Sequence, residues 1–170
     1  MARDNKRLSQ PATRKGNTQT VKEDNRLFAR ILIPVDGSKF SLKAVRLARR
    51  LAEIQGSELL LLHVLDVEVI EQLCRLSNKS NDEVRADMEG SARAFLEDIS
   101  LEVSRQNIPV SMVLKEGTPH EVVLDEAVRW GADLIVMGKL GKRGVSRILL
   151  GSVAERVIEF ANLPVLLAIA

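Results

Sequence analysis

The stretch ELLLLHV, Glu58–Val64, constrains the fold more than any other part of this chain. Four consecutive leucines cannot alternate between core and water, so a strand built from them must be covered on both faces. Similar runs of strand length recur at RILIPV (Arg30–Val35), DLIVM (Asp133–Met137) and PVLLAIA (Pro164–Ala170), and PVSMVLK (Pro109–Lys115) supplies another strand. Between them the apolar spacing changes to a helical one. Ala44, Leu47, Ala48, Leu51 and Ile54 predict a helix that stops at Gly56, and Val84, Met88, Ala92, Phe95, Leu96, Ile99 and Val103 trace a long one. Thr118, Pro119 and Glu121 read as a helix start, with threonine capping, proline in the first turn and glutamate reaching back; Gly131 ends that helix. Ser152 to Phe160 predicts a short final helix, and the stretch from Asp66 to about Asn81 reads as irregular.

Strands and helices alternating in this way, with connections too long for hairpins, predict an α/β fold: a single doubly wound five-stranded parallel sheet with helices on both faces, Rossmann-like. Ligands bind such sheets beyond the carboxyl ends of the strands, where the strand order reverses. The strand-to-helix loops are therefore where function is expected.

Composition excludes several classes. A chain of 170 residues with 45 % apolar and 28 % charged residues suits one soluble domain, and no apolar run approaches the length needed to span a bilayer. The polar start lacks a secretory apolar segment, so a cytoplasmic protein is expected. The lone Cys74 lies at helical spacing from Ile70 and Leu73 and reads as a buried small hydrophobe; His63 and His120 have no partners at zinc-ligand spacing. Residues 1–26 carry seven cations against three acids, or +4, which leaves 18 cations and 20 acids, or −2, for the remainder. Residues 1–27, without apolar periodicity, are expected to be a disordered basic tail, with the folded domain over 28–170. The tail lacks the aromatics of a nucleic-acid arm, so a solvated extension is preferred and nucleic-acid binding is not expected.

Two loops carry the chemistry. One is Val35-Asp36-Gly37-Ser38 after the first strand; the other is MGKLGKRGVSRILLGS, Met137–Ser152. Glycines there permit close backbone approach, and the amides and dipole of the last helix favour an anion, so a phosphate chain is the natural guest. Lys139, Lys142, Arg143 and Arg147 add positive potential or are merely solvated. Ser152-Val153-Ala154-Glu155 also reads as a capping box that needs no ligand. Neither a Walker A loop nor GxGxxG is present. A receiver domain is excluded as well: the first loop holds only Asp36, the third strand ends in Lys115 and Glu116, and no lysine follows the fifth strand.

The spacing of Gly138, Gly141, Gly151 and Ser152 resembles the ATP-binding signature of the universal stress protein family. Pro34 to Ser38, the HVLD end of the second strand and the closing NLPVLL are similar to it too, so the resemblance covers about Phe28–Ala170. It implies the adenine nucleotide alpha hydrolase-like fold, and a stress or regulatory module that binds ATP with Mg²⁺. By that resemblance Pro34, Val35 and Asp36 lie at the nucleotide, and Val64 meets the adenine. Met137 and Gly138 line the same pocket, while Gly141, Gly151, Ser152, Val153 and Ala154 meet ribose and phosphates. Ser38 either contacts phosphate or caps the first helix. No general base paired with a nucleophile accompanies the glycines, so binding without rapid turnover is expected, the alternative being a slow ATPase or adenylating enzyme of the same fold. Valine at Gly141 or Gly151 is expected to fill the phosphate path. The terminal strand, apolar on both faces and expected to be covered by helices, leaves an unguarded edge that predicts a homodimer.

Overall fold

The computed structural model describes residues 26–141 and 150–169. Five parallel strands form one sheet: β1 (Arg30–Pro34), β2 (Glu58–Asp66), β3 (Val110–Gly117), β4 (Leu134–Gly138) and β5 (Val165–Ala168). Their order is β3-β2-β1-β4-β5, so the sheet grows outward in both directions from β1 and the order reverses between β1 and β4. The helices are α1 (Lys39–Gln55), α2 (Val67–Leu76), α3 (Asn81–Ser104), α4 (Pro119–Trp130) and α5 (Ser152–Phe160).

The apolar runs behave as the covering argument requires. Ile31 and Ile33 point toward Ala44 and Ala48 of α1 and Leu96 of α3, while Leu32 points toward Val123 and Ala127 of α4 and Val157 of α5. The same split divides Leu59 and Leu61 from Leu60 and Leu62, and all seven side chains are at most 2 % exposed. Full burial of each stabilises by roughly 1.5–3 kcal/mol against exposure, which explains why these strands are central.

Helix ends follow local chemistry. Ser38 caps α1 by accepting from the Ser41 amide at 3.1 Å, and Gly56 ends it in a left-handed turn at φ 72°. Ser80 and Glu83 form a full capping box on α3. Two expected caps are absent: Thr118 and the N-terminus of α5 make no side-chain cap bond, and Ser152 is the first helical residue, behind an N-cap at Gly151. A first-turn side chain cannot accept the bond that an N-cap side chain accepts, so the capping box expected at Ser152 does not form.

Three further expectations change. Most of the stretch expected to be irregular is α2, capped by the Asp66 carboxylate, which accepts from the Glu68 amide at 3.0 Å. Cys74 is half-buried rather than buried, in the joint between α2 and α3, its thiol donating to Asn81 Oδ1 at 3.5 Å. The outer strand β5 is incompletely covered, because Leu166 is 38 % exposed and Ile169, just beyond it, 66 %. The tail up to residue 25, Lys142, Arg143 and Arg147 lie outside the described residues, as does Ala170.

Candidate functional site

At the carboxyl ends of β1 and β4, where the order reverses, lies a cavity of about 360 Å³. That volume falls in the range of small-molecule sites. Its position follows from topology: α1 leaves β1 toward β2, α5 follows β4 toward β5, and the two crossovers diverge and leave a crevice.

The walls divide by chemistry. Pro34, Val35, Leu62, Val64 and Met137 give one side an apolar lining, completed by Pro119 and Val123 of α4. A flat, mostly apolar ring system suits that slot. Asp36 and Asp66 place two carboxylates at its margin, and Ser41 adds a hydroxyl. The lining continues through Gly138, Leu140 and Gly141 to Gly151, Ser152, Val153 and Ala154 at the start of α5. With Gly151 as N-cap and no side-chain cap, the amides of Ser152, Val153 and Ala154 begin the helix without a capping acceptor. A helix start of this kind carries partial positive charge and accommodates an anion.

The loops are held by bonds that the sequence did not reveal. Asp36 Oδ1 accepts from the Ser38 amide at 2.9 Å, closing a turn through Gly37 at φ 80°. His63 Nδ1 lies 2.7 Å from the Val35 carbonyl oxygen; since a carbonyl only accepts, that nitrogen carries the proton and ties β2 to the end of β1. On the other loop, the Gly151 amide donates to Lys139 O at 2.9 Å and the Lys139 amide to Ala168 O at 3.0 Å.

Of the residues singled out from sequence, Pro34, Val35 and Asp36 come together with Val64, Met137 and Gly138, and with Gly141, Gly151, Ser152, Val153 and Ala154. Ser38 does not join them. It is 7 % exposed, caps α1 and donates to Leu140 O at 3.4 Å, so it braces the two loops from behind. Leu62, Asp66, Pro119, Val123, Leu140 and Ser41 also line the cavity and had not been singled out. Helix α4 crosses this crevice only because of the sheet order, which spacing along the chain does not disclose; Asp66, by contrast, was legible as the polar end of an apolar strand.

The glycines differ from expectation in one respect. A β-carbon on Gly141 would meet Asp36 Oδ2 at 2.8 Å, and one on Gly151 would meet Leu140 Cα and Lys139 O at 3.4 Å. A side chain at Gly141 would therefore displace the Asp36 carboxylate, itself at the cavity, whereas the contacts at Gly151 are ordinary van der Waals ones. The Gly151 amide is likewise engaged by Lys139 O, which leaves the open amides at Ser152 to Ala154. Among the described residues no cluster of three or more His, Cys, Asp or Glu side chains is arranged to hold a metal ion.

Comparison with known proteins is consistent with this geometry. Residues 27–168 match the universal stress protein family. Universal stress protein MJ0531 of Methanocaldococcus jannaschii is 34 % identical over 146 residues, covering 86 % of this chain and 85 % of that protein. The solved structure of MJ0577 from the same organism is 31 % identical and superposes with a TM-score of 0.75 over 84 % of this chain and 96 % of the other. A universal stress protein of Archaeoglobus fulgidus solved in complex with dAMP shares the fold, with 23 % identity and a TM-score of 0.59, over 83 % of this chain and 98 % of the other. With the match running from three residues before β1 to the end of β5, this chain belongs to the universal stress protein family.

Proposed function

We propose that this chain binds ATP with Mg²⁺ as a nucleotide-responsive stress or regulatory module. The observation that carries the reading is the cavity at the β1–β4 reversal, an apolar slot that continues to the uncapped amides of Ser152, Val153 and Ala154. The base enters between Val64, Met137 and Val123; Asp36 and Asp66 meet its edge or the ribose; the phosphates run past Gly141 to the start of α5. The dAMP held by the structural neighbour supports an adenine nucleotide as the ligand class. Magnesium would take its ligands mainly from phosphate and water, as this ion commonly does. The residues bind and orient; the open helix start supplies fixed positive dipoles to the phosphate charge. The edge of β5 makes the protein a homodimer, working in the cytoplasm.

The test is identification by mass spectrometry of nucleotide released from purified protein, followed by calorimetry with ATP, AMP and cyclic AMP. ATP released from the protein and bound more tightly than AMP supports the reading. Binding of AMP or cyclic AMP in preference to ATP overturns the triphosphate, and absence of any adenine nucleotide binding overturns the site. Sustained hydrolysis at about 10 per second, near the median enzyme rate, would make the protein an ATPase instead.

A further inference from the structure

Helix α1 carries its charge in a way that does not serve the fold. It holds five cations, Lys39, Lys43, Arg46, Arg49 and Arg50, and one acid, Glu53. Arg49 pairs with Glu53 at 3.6 Å and with Glu102 of α3 at 4.0 Å. The other four fall at i, i+4, i+7 and i+11, one outward stripe about 16 Å long. Lys39, Arg46 and Arg50 are exposed and Lys43 half-buried. Lys39 lies over the Phe40 ring at 5.0 Å, and none of the four has a carboxylate partner among the described residues.

This is unusual within the molecule. Every arginine of α2, α3, α4 and α5 pairs with a carboxylate. On α1, like charges one turn apart repel, and Lys39 and Lys43 sit near the positive end of the helix dipole, with no acid in the first turn to offset them. Local rules broken without a compensating contact mark surfaces kept for something other than stability.

Two observations select the occupant. Arg26, which donates to Gly56 O, brings one more cation to α1's carboxyl end. Beside α1, in the same core layer, the carboxyl half of α3 holds Glu97, Asp98 and Glu102, the last 4.0 Å from Arg49. A duplex or a bilayer, wider than one helix, would meet those carboxylates; a narrow acidic segment would not. We infer that the Lys39–Lys43–Arg46–Arg50 stripe of α1 docks an acidic helical segment of a partner protein, with carboxylates repeating at one-turn spacing.

The probe is a labelled peptide of about 18 residues, some five helical turns, with glutamates at i, i+4, i+7 and i+11, compared by fluorescence anisotropy with an isomer whose glutamates are spread around the helix. The full chain is expected to bind the patterned peptide about tenfold more tightly than the isomer, with affinity falling as salt rises. Lys43→Gln/Arg46→Gln/Arg50→Gln should remove that preference while adenine nucleotide affinity is unchanged. Circular dichroism checks folding, and the single variants Arg46→Gln and Arg50→Gln, each lowering affinity by about threefold, provide the test if the triple variant does not fold. Equal affinity for the two peptides, no peptide binding, an undiminished preference in the folded variants, or tighter binding of a DNA duplex or phosphatidylglycerol vesicles would overturn the inference.

Discussion

Gly141 faces Asp36 so closely that a β-carbon on the glycine would lie 2.8 Å from Asp36 Oδ2. The same carboxylate holds the Ser38 amide through Oδ1. Gly141→Ala therefore swings the Asp36 side chain without disturbing the core. On the proposed binding mode, loss of one charged hydrogen bond to ligand, at about 1.5–3 kcal/mol, predicts a ten- to hundredfold drop in adenine nucleotide affinity by calorimetry. Because the effect passes through Asp36, the double variant Asp36→Ala/Gly141→Ala should bind no worse than Asp36→Ala alone; additive losses would show that the glycine acts separately.

Gly138 and Gly151 predict opposite outcomes. A β-carbon on Gly138 would come within 2.8 Å of Phe40 C and Cβ and 2.9 Å of the Ser41 nitrogen, so the first turn of α1 would have to move. Overpacking of this kind costs about 1–3 kcal/mol, and Gly138→Ala should lower Tm by roughly 2–12 °C in a domain of this size. Gly151 has φ −76° and ψ 148°, open to any residue, and its nearest contacts are 3.4 Å. Gly151→Ala should stay within about 1 kcal/mol of the parent in urea unfolding.

The sheet was legible because runs such as Leu59–Leu62 admit few alternatives, and the site because Gly138, Gly141 and Gly151 lie beside strand and helix ends. Helix α2 was not. It presents Val67, Ile70, Leu73 and Leu76, but only Ile70 is buried, so most of its periodicity faces water, and its cap, Asp66, reads equally as the end of a strand. At α5, the Ser-x-x-Glu pattern misplaced the cap by one residue, because the Gly151 amide is fixed by Lys139 O, a bond between residues distant in sequence. Glu126 carries a sequence signal of its own, because it lies between Val123 and Ala127 on the apolar face of α4.

Glu126 is 1 % exposed, held by Lys115 Nζ at 3.2 Å and by Arg129 Nε at 2.8 Å, although both cations are substantially exposed. Removing the cations strands a buried carboxylate, whereas neutralising the acid leaves two cations that water can solvate. Lys115→Met/Arg129→Met is expected to cost about 3–5 kcal/mol and Glu126→Gln about 1–2 kcal/mol in urea unfolding. The reverse order would show that the cations contribute more through their stems than through charge.

The start of α3 should respond to acid. The hydrogen bond from the Ser80 amide, followed by that from its hydroxyl, lowers the Glu83 pKa from its ordinary 4.5. A lowered carboxylate contributes stability that is present above the ordinary value and lost as pH falls through the lowered one. Amide exchange over Asn81–Val84 should therefore quicken, relative to the rest of α3, only below about pH 4.5, the glutamate reference value, and Glu83→Gln should abolish that pH dependence. A transition near pH 6 in the parent would assign the change to another group.

The edge of β5 supplies the last prediction. Its neighbour on one side is β4; on the other, its backbone groups have no strand among the described residues. Leu166 and Ile169 stand 38 % and 66 % exposed beside that edge, with no lysine in the strand to discourage pairing. Two copies related by a two-fold axis can satisfy each other's edge and cover these side chains at once. Light scattering should give twice the chain mass, and Leu166→Glu/Ile169→Glu, which places like charges across the axis, should give a folded monomer. A parent that is monomeric at micromolar concentration, or a double variant that remains dimeric, would locate the association surface elsewhere or remove it.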